Sequence, residues 1–460
     1  MPKLYPISVM MSVLFGLALS INLASAQEVG LDASDQTLQA KHQGVIPVTL
    51  RQSDTGWELL RDGKPYYIKG GGVKPGLLAE FVAAGGNSIR TWGAKDQEAL
   101  LDEAHENGLT VMLGIWLGHP KHGFDYGDED AKNRQVEEAL AYVRRYKDHP
   151  AVLLWGVGNE VEIQTPQDER IYKQINRVAR EIKAIDPHHP TVMVTAGSAS
   201  MRLHLMDRLC PDIDILGPNL YGESIDRVVE QLESLKIDRP FIVPEYGPPG
   251  QWGRDDNTPW GAPFEPSSTD KARFYLRHYA SPINSRSGQC LGGYVFYWKY
   301  DKFNRAWPSW YSMHHHTGEA YEGIDVMRWA WTGRFPENQA PQIVLLDSPV
   351  KGEIVDVGYA STARVTALDR DNDPLSYEWV LSPDHEAKQT FAAVSAEQWI
   401  TSGGGAELEF RVPDDAQGPY RLHVVVRDGR GKAARANVPF YVALPRVDAS
   451  THLISSESTR

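Results

Sequence analysis

Two apolar runs in this chain end in a glutamate. Residues 151–162 read AVLLWGVGNEVE and residues 241–247 read FIVPEYG, which leaves Glu160 and Glu245 where buried strands run out. Taken alone, such a glutamate caps a helix or marks a solvated strand end. Taken as a pair, the two support another chemistry. One carboxyl protonates a leaving oxygen while the other carboxylate attacks an anomeric carbon, with about 5–5.5 Å between them when configuration is retained. The roles require one group kept protonated and the other kept ionised. Other run ends add Arg90, Thr91 and Trp92, then Asn159, then Asn219 and Tyr221, and finally Tyr297 and Trp298. Arg90 would favour the charged form of Glu245, and Tyr221 would donate a hydrogen bond to the same carboxylate. Asn159 would bind the sugar hydroxyl beside the reacting carbon, with Trp92 lining the substrate and Trp298 offering a flat apolar face. Each residue alone reads as an ordinary ion pair or core side chain; the argument rests on their joint placement.

Something must bring these ends together. From residue 66 the chain repeats an apolar run, a short loop and an amphipathic helix. The runs are Tyr66–Gly70, Ser88–Thr91, Leu109–Trp116, Ala151–Val157, Thr191–Thr195, Ile213–Pro218, Phe241–Pro244 and Leu291–Trp298. The intervening helices fall near 77–84, 97–106, within 132–147, and near 168–185, 200–209, 224–235 and 269–279. Eight such units predict an α/β (β/α)8 TIM barrel, whose reactive groups sit at the C-terminal ends of its strands. A doubly wound sheet is the alternative, but no glycine-rich phosphate fingerprint follows an early strand. Gly70-Gly71-Gly72 lacks that spacing and reads as a tight turn. A hairpin with Asp62-Gly63 at its turn precedes the barrel, which spans 46–333 with a closing helix in IDVMRWAWTG. RFPENQAP, 334–341, reads as a linker. Residues 342–446 then switch to period-two alternation, predicting a small all-β, immunoglobulin-like sandwich, and 447–460 form a polar tail.

The set YIKGGG, NSIRTWG, WGVGNE, NLYG, PEYG and FYW resembles glycoside hydrolase clan A. The barrel of family two is nearest, with features of families five and seventy-two, over about residues 56–333. The resemblance implies a retaining β-glycosidase without cofactor or metal, with Glu160 as acid/base and Glu245 as nucleophile. It sets Arg90, Asn159, Tyr221 and Trp298 in supporting positions, and it favours a β-glucan, then a mannan. A transglycosylase using the same site, or a barrel that binds carbohydrate without turnover, stands as the alternative. Family-two enzymes usually carry β-sandwich domains ahead of the barrel, and none fits before residue 56. ALDRDNDPLSYEW resembles polycystic-kidney-disease-like or cadherin-like modules, which implies a spacer or interaction role.

The rest of the chain narrows the partners. Lys3, an apolar stretch from Val9 to Leu23 and Ala24-Ser25-Ala26 form a leader-like segment, 1–26, so the expected location is secreted or periplasmic. No other stretch approaches a membrane span. A net charge of −13 without a basic stripe disfavours nucleic acid and anionic polymers and suits a neutral carbohydrate. The oligomeric state is not readable. Cys210 and Cys290 fit either a disulfide, closing an ~80-residue loop for on the order of 4 kcal/mol, or two buried thiols. The loop GHPKHGFDYGDED holds His119, His122, Asp125 and Asp128, and reads as a substrate-lining or solvated loop ahead of a metal site. His314-His315-His316 needs no metal. Asp369, Asp371 and Asp373 alternate as calcium ligands sometimes do, and an Asx turn explains them equally well. Trp252, Trp260, Trp307 and Trp310 fall in the last two barrel loops, where they either stack on sugars or pack the loops.

Overall fold

The structure, a computed structural model, describes residues 44–253, 256–283, 288–299, 310–384, 399–401 and 404–443. The leader-like segment, the polar tail and Trp307 lie outside the described residues.

An antiparallel pair opens the fold, β1 (Val48–Ser53) and β2 (Gly56–Arg61), and β2 turns onto β3 (Lys64–Pro65). Asp62 and Gly63 at that turn both have positive φ, 53° and 70°, as a two-residue hairpin requires. The barrel follows: β4 (Ile68–Val73), α1 (Leu78–Ala83), β5 (Ser88–Arg90), α2 (Glu98–Glu106), β6 (Thr110–Ile115), α3 (Glu129–Tyr146), β7 (Val152–Val157) and α4 (Glu169–Ile185). It continues through β8 (Thr191–Thr195), α5 (Ser200–Leu209), β9 (Ile215–Pro218), the short β10 (Leu220–Tyr221), α6 (Val228–Leu235), β11 (Phe241–Gly247), α7 (Ser268–His278), β12 (Cys290–Trp298) and α8 (Glu322–Thr332). The barrel strands are all parallel, and β11 pairs with both β9 and β12, closing the sheet. This is the expected TIM barrel. Asp168 caps α4, its side chain accepting from Arg170 N, as the sequence position suggests.

Two apolar layers hold the barrel. Inside, Ile68, Met112, Leu154, Val192, Ile215, Ile242, Leu291 and Tyr294 meet, and Val48 and Leu59 of the hairpin join them. The hairpin thus covers this interior layer. Outside, strand residues such as Val111, Trp155 and Phe241 pack on Leu101, Val143, Ile175 and Leu232 of the helices. The triple glycine departs from expectation. It lies within β4 and its residues are buried. A Cβ at Gly70 would fall 2.2 Å from the Tyr294 ring, and one at Gly72 would fall 2.6 Å from Trp92. The glycines make room for aromatic side chains rather than turning the chain.

Beyond α8 come β13 (Gln342–Asp347), β14 (Ile354–Asp356), β15 (Ala360–Leu368), β16 (Ser376–Pro383), β17 (Trp399–Thr401), β18 (Glu407–Arg411), β19 (Gly418–Arg427) and β20 (Ala433–Ala443). They form two sheets, β13-β15-β18 and β14-β20-β19-β16-β17. Ile343, Val365 and Phe410 of one sheet share a core with Trp379, Tyr420 and Phe440 of the other. β14 pairs parallel with β20, so this is not a purely antiparallel arrangement.

The β domain is fastened to the barrel by buried charge. Glu265, in the loop after β11, pairs with Lys271 of α7 and Arg435 of β20, and accepts from Asn437 Nδ2 at 2.6 Å. Arg421 donates to Asn437 Oδ1 at 2.7 Å and to the Pro263 carbonyl at 2.8 Å. Lys432 pairs with Asp325 of α8, and Arg427 donates to Glu319 at 2.8 Å. Trp260 lies buried against Tyr441, with ring centroids 5.6 Å apart.

The cysteines are separate buried thiols: Cys210 Sγ faces Met193 Sδ at 3.7 Å and Cys290 Sγ faces the Gly292 carbonyl. Asp369 Oδ1 accepts from the backbone N–H groups of Asp371 and Asp373 at 2.9 and 3.0 Å, which is the Asx-turn geometry. Among the described residues no helix is long and apolar enough to cross a membrane.

Candidate active site

The strand ends converge as expected. Arg90, at the end of β5, is buried and donates to Glu245 Oε1 at 2.9 Å, to the Pro244 carbonyl at 2.8 Å and to Asn159 Oδ1 at 2.6 Å. Trp92 Nε1 donates to Glu245 Oε1 at 2.7 Å, and the Tyr221 hydroxyl donates to Oε2 at 2.6 Å. Three donors, one of them a cation, thus converge on the Glu245 carboxyl. Burial, then the nearby Glu245 charge, pushes the Tyr221 hydroxyl well above its usual range and keeps it a donor.

Glu160 lives in different surroundings. It accepts one hydrogen bond from Asn219 Nδ2, at 2.9 Å. Burial, then the Glu245 charge, pushes its carboxyl up to about 7. Its φ is +51°, a left-handed backbone that costs a β-carbon-bearing residue on the order of 1 kcal/mol or more. A hydrogen bond from Glu160 N to the Val194 carbonyl, 2.9 Å, holds it there, and Gly158 at φ +72° leads the chain into the bend. The strand therefore ends in a fixed kink beside the barrel axis rather than in a cap. Two carboxyls in unlike surroundings now face one space.

Four groups were given no role from sequence. Asn219 is the donor to Glu160; a strand-end Asn beside Tyr221 was the available signal. Glu162 is fully buried, accepts from Ala196 N at 2.8 Å and pairs with Arg202, and its charge adds to the upward push on Glu160. Phe296 and Tyr311 pack on Tyr221 and on each other.

Trp298 requires a correction. It is 0% exposed, donates through Nε1 to Glu80 at 2.8 Å and stacks on Trp331, so it offers no face to a ligand. A register irregularity between Val295 and Trp298 in the β12–β4 pairing accompanies the change, and Phe296 holds the place beside Trp92. Trp260 and Trp310 are likewise packing residues, Trp310 donating to the Pro249 carbonyl at 2.8 Å. Among the described members of that set Trp252 is exposed, at 66%. His314 bonds Glu80 and His315 bonds the Tyr321 hydroxyl. In the loop after β6, Asp128 caps α3 and Asp125 accepts from Gly127 N. With His119 and His122 they do not gather into a ligand cluster among the described residues.

Fold and site together define a TIM barrel with paired glutamates at the ends of its fourth and seventh strands. Residues 84–251 match a family model described as glycosyl hydrolases family 2, TIM barrel domain, and this segment carries Arg90, Trp92, Asn159, Glu160, Asn219, Tyr221 and Glu245. The chain is 28% identical over 233 residues to a β-glucuronidase of Chlorocebus aethiops, covering 44% of this chain and 34% of that protein. It is 28% identical over 136 residues to β-mannosidase A of Emericella nidulans, covering 26% of this chain and 14% of that protein. Among solved structures it resembles a Parabacteroides merdae β-glucuronidase at a TM-score of 0.46 and 13% identity, over 87% of this chain and 51% of that one. The chain spans about a third of the length of the β-glucuronidase it matches. The family match and the two curated relatives support a glycoside hydrolase barrel over that segment.

Proposed function

We propose that this protein is an exported retaining β-glycosidase acting on a neutral β-linked polysaccharide, a glucan first and a mannan second. The reading is carried by one observation: Glu160, pushed up to about 7, faces Glu245, whose oxygens receive Arg90, Trp92 and Tyr221. In the first step a Glu245 oxygen bonds to the anomeric carbon. The bond to the leaving oxygen breaks, and that oxygen takes the Glu160 proton. In the second step water attacks the same carbon, gives its proton to Glu160 and frees Glu245. Asn159, its Oδ1 committed to Arg90, turns its amide N–H groups to the sugar hydroxyl beside the reacting carbon. The neutral-substrate reading follows from the net charge of −13 and from Arg90 being engaged by Glu245 and Asn159. Export rests on residues 1–26.

The test is a panel of β-glucans, β-mannans, aryl β-glycosides and aryl β-glucuronides, with products resolved by size and anomeric configuration. The expected result is turnover of a neutral substrate with first-formed products in the β configuration. Turnover of glucuronides alone would overturn the neutral-substrate part, and inverted products would remove Glu245 as nucleophile.

Because Glu160 must be protonated in the first step, kcat/KM is expected to fall on the alkaline side with an apparent pKa near the value of about 7. Glu160→Gln is expected to abolish that limb and to lower turnover of unactivated glycosides by about 10²–10⁴-fold. A pH–rate profile of both proteins checks it; an unchanged alkaline limb in the variant would transfer the acid role elsewhere.

A further inference from the structure

Two exposed tryptophans stand at the mouth of the site, and the reaction as described uses neither. Trp116 directly follows β6 and is 49% exposed; Trp252 lies in the loop after β11 and is 66% exposed. An isolated exposed apolar side chain is by itself ordinary; what sets these two apart is how they are held. Both rings are braced from behind. Trp116 stacks on His119, centroids 4.8 Å apart and planes within 24°. His119 is buried against the Asn159 backbone, and burial, then Lys121 and His122, pushes it down to about 4, so the brace is a neutral ring. Trp252 meets Tyr221 edge-on at 5.7 Å and Tyr311 at 5.8 Å, and Tyr221 is bonded to Glu245. Each tryptophan is thus one side chain away from a residue of the carboxylate site.

Their placement around the barrel gives the direction. In the closed order β12-β4-β5-β6-β7-β8-β9-β11, the strands β6 and β11 lie four steps apart either way. The loops that carry the two tryptophans therefore rise from opposite walls; Glu160 follows β7, the neighbour of β6, and Glu245 sits on β11 ahead of Trp252. We infer that Trp116 and Trp252 are sugar-stacking platforms on the two sides of the cleavage point, so the cleft takes an unbranched neutral β-glycan of several rings and cuts internal bonds. Pyranose rings in β-linked chains present flat C–H faces to an aromatic plane, and a tryptophan braced in advance loses little freedom on stacking. The inference rests on the proposed glycosidase reading for the identity of the ligand, but its readout does not need turnover.

The experiment uses the full chain carrying Glu245→Gln, so that bound glycan persists. Calorimetry measures binding of cellotetraose, laminaritetraose and mannotetraose, each beside its disaccharide, with a glucuronate-containing tetrasaccharide as comparator. The expected result is tetrasaccharide binding tighter than disaccharide binding for a neutral series. Adding Trp116→Ala or Trp252→Ala should each reduce that advantage by about tenfold, whereas Trp116→Phe and Trp252→Phe should retain most of it. Equal length dependence with and without either tryptophan would overturn the platforms, as would the absence of binding to every neutral probe. Near-ultraviolet circular dichroism confirms that each variant is folded. If native protein turns over no glycoside yet binds tetrasaccharides through the tryptophans, the glycosidase reading fails and the platforms stand.

Discussion

Glu245→Gln is expected to lower kcat by at least about 10⁴-fold on every β-glycoside the protein turns over. The amide matches the carboxylate in size and still offers an oxygen to Arg90, Trp92 or Tyr221. It carries no charge to place on the anomeric carbon, so the loss falls on kcat more than on KM. Glu245→Ala adds a sharper observation. The space it opens is expected to admit azide, and with an activated aryl β-glycoside the anion should attack from the face Glu245 occupied and yield the α-glycosyl azide. Wild-type turnover by Glu245→Gln would end the catalytic assignment; a β-glycosyl azide would place the nucleophile on the other face.

The second large effect concerns stability. Glu265→Ala removes the carboxylate shared by Lys271, Arg435 and Asn437, and takes one negative charge from two buried cations. Removing one partner of a buried pair costs on the order of 3–5 kcal/mol, mostly through the charge left behind. The pH dependence has a definite sign. Burial alone would raise this carboxyl, but Arg435 and Lys271, then Arg421, hold it down to about 2. A carboxyl depressed in the folded state contributes stability above its unfolded pKa and loses it as pH falls through the folded value. The gap between wild type and variant should therefore be full above about pH 5 and close between there and pH 2. Calorimetric scans at pH 7, 4 and 3 read it directly. A loss below about 1 kcal/mol at pH 7 would mean the group behaves as a screened surface pair.

The barrel was legible because its alternation is regular. Runs such as VLLWGV and TVMLGI read as strands buried on both faces, and the amphipathic stretches between such runs read as helices. Strand ends then pointed to Arg90, Trp92, Asn159, Glu160, Tyr221 and Glu245, and the structure brings all six together. What failed was side-chain direction. Trp298 ends its strand as Glu245 nearly ends its own, yet the irregular β12–β4 register leaves Trp298 among Phe81 and Trp331. Alternation fixes faces only while register is regular. The triple glycine misled for a related reason: its cause is the rings of Tyr294 and Trp92, which come from elsewhere in the chain. The roles of Asn219 and Glu162 were not readable because they lie in partners, Glu160 and Arg202, that only folding supplies.

The buried charges around Glu265 also bear on how much of this chain makes a working unit. Thr269 and Ser268 at the head of α7 accept hydrogen bonds from Ile343 N and Arg435 N, and Ala320 bridges to Lys432 and Ala433 beside the strand that follows Gly431. The segments that carry Trp252 and Tyr311 are thus anchored through residues contributed after position 340. A fragment trimmed to the barrel would retain every acid and base yet lose the frame that sets one wall of its own cleft. The β domain is thus a brace for the paired-glutamate cleft, and a fragment made to test that cleft has to be cut outside the β domain rather than in front of it.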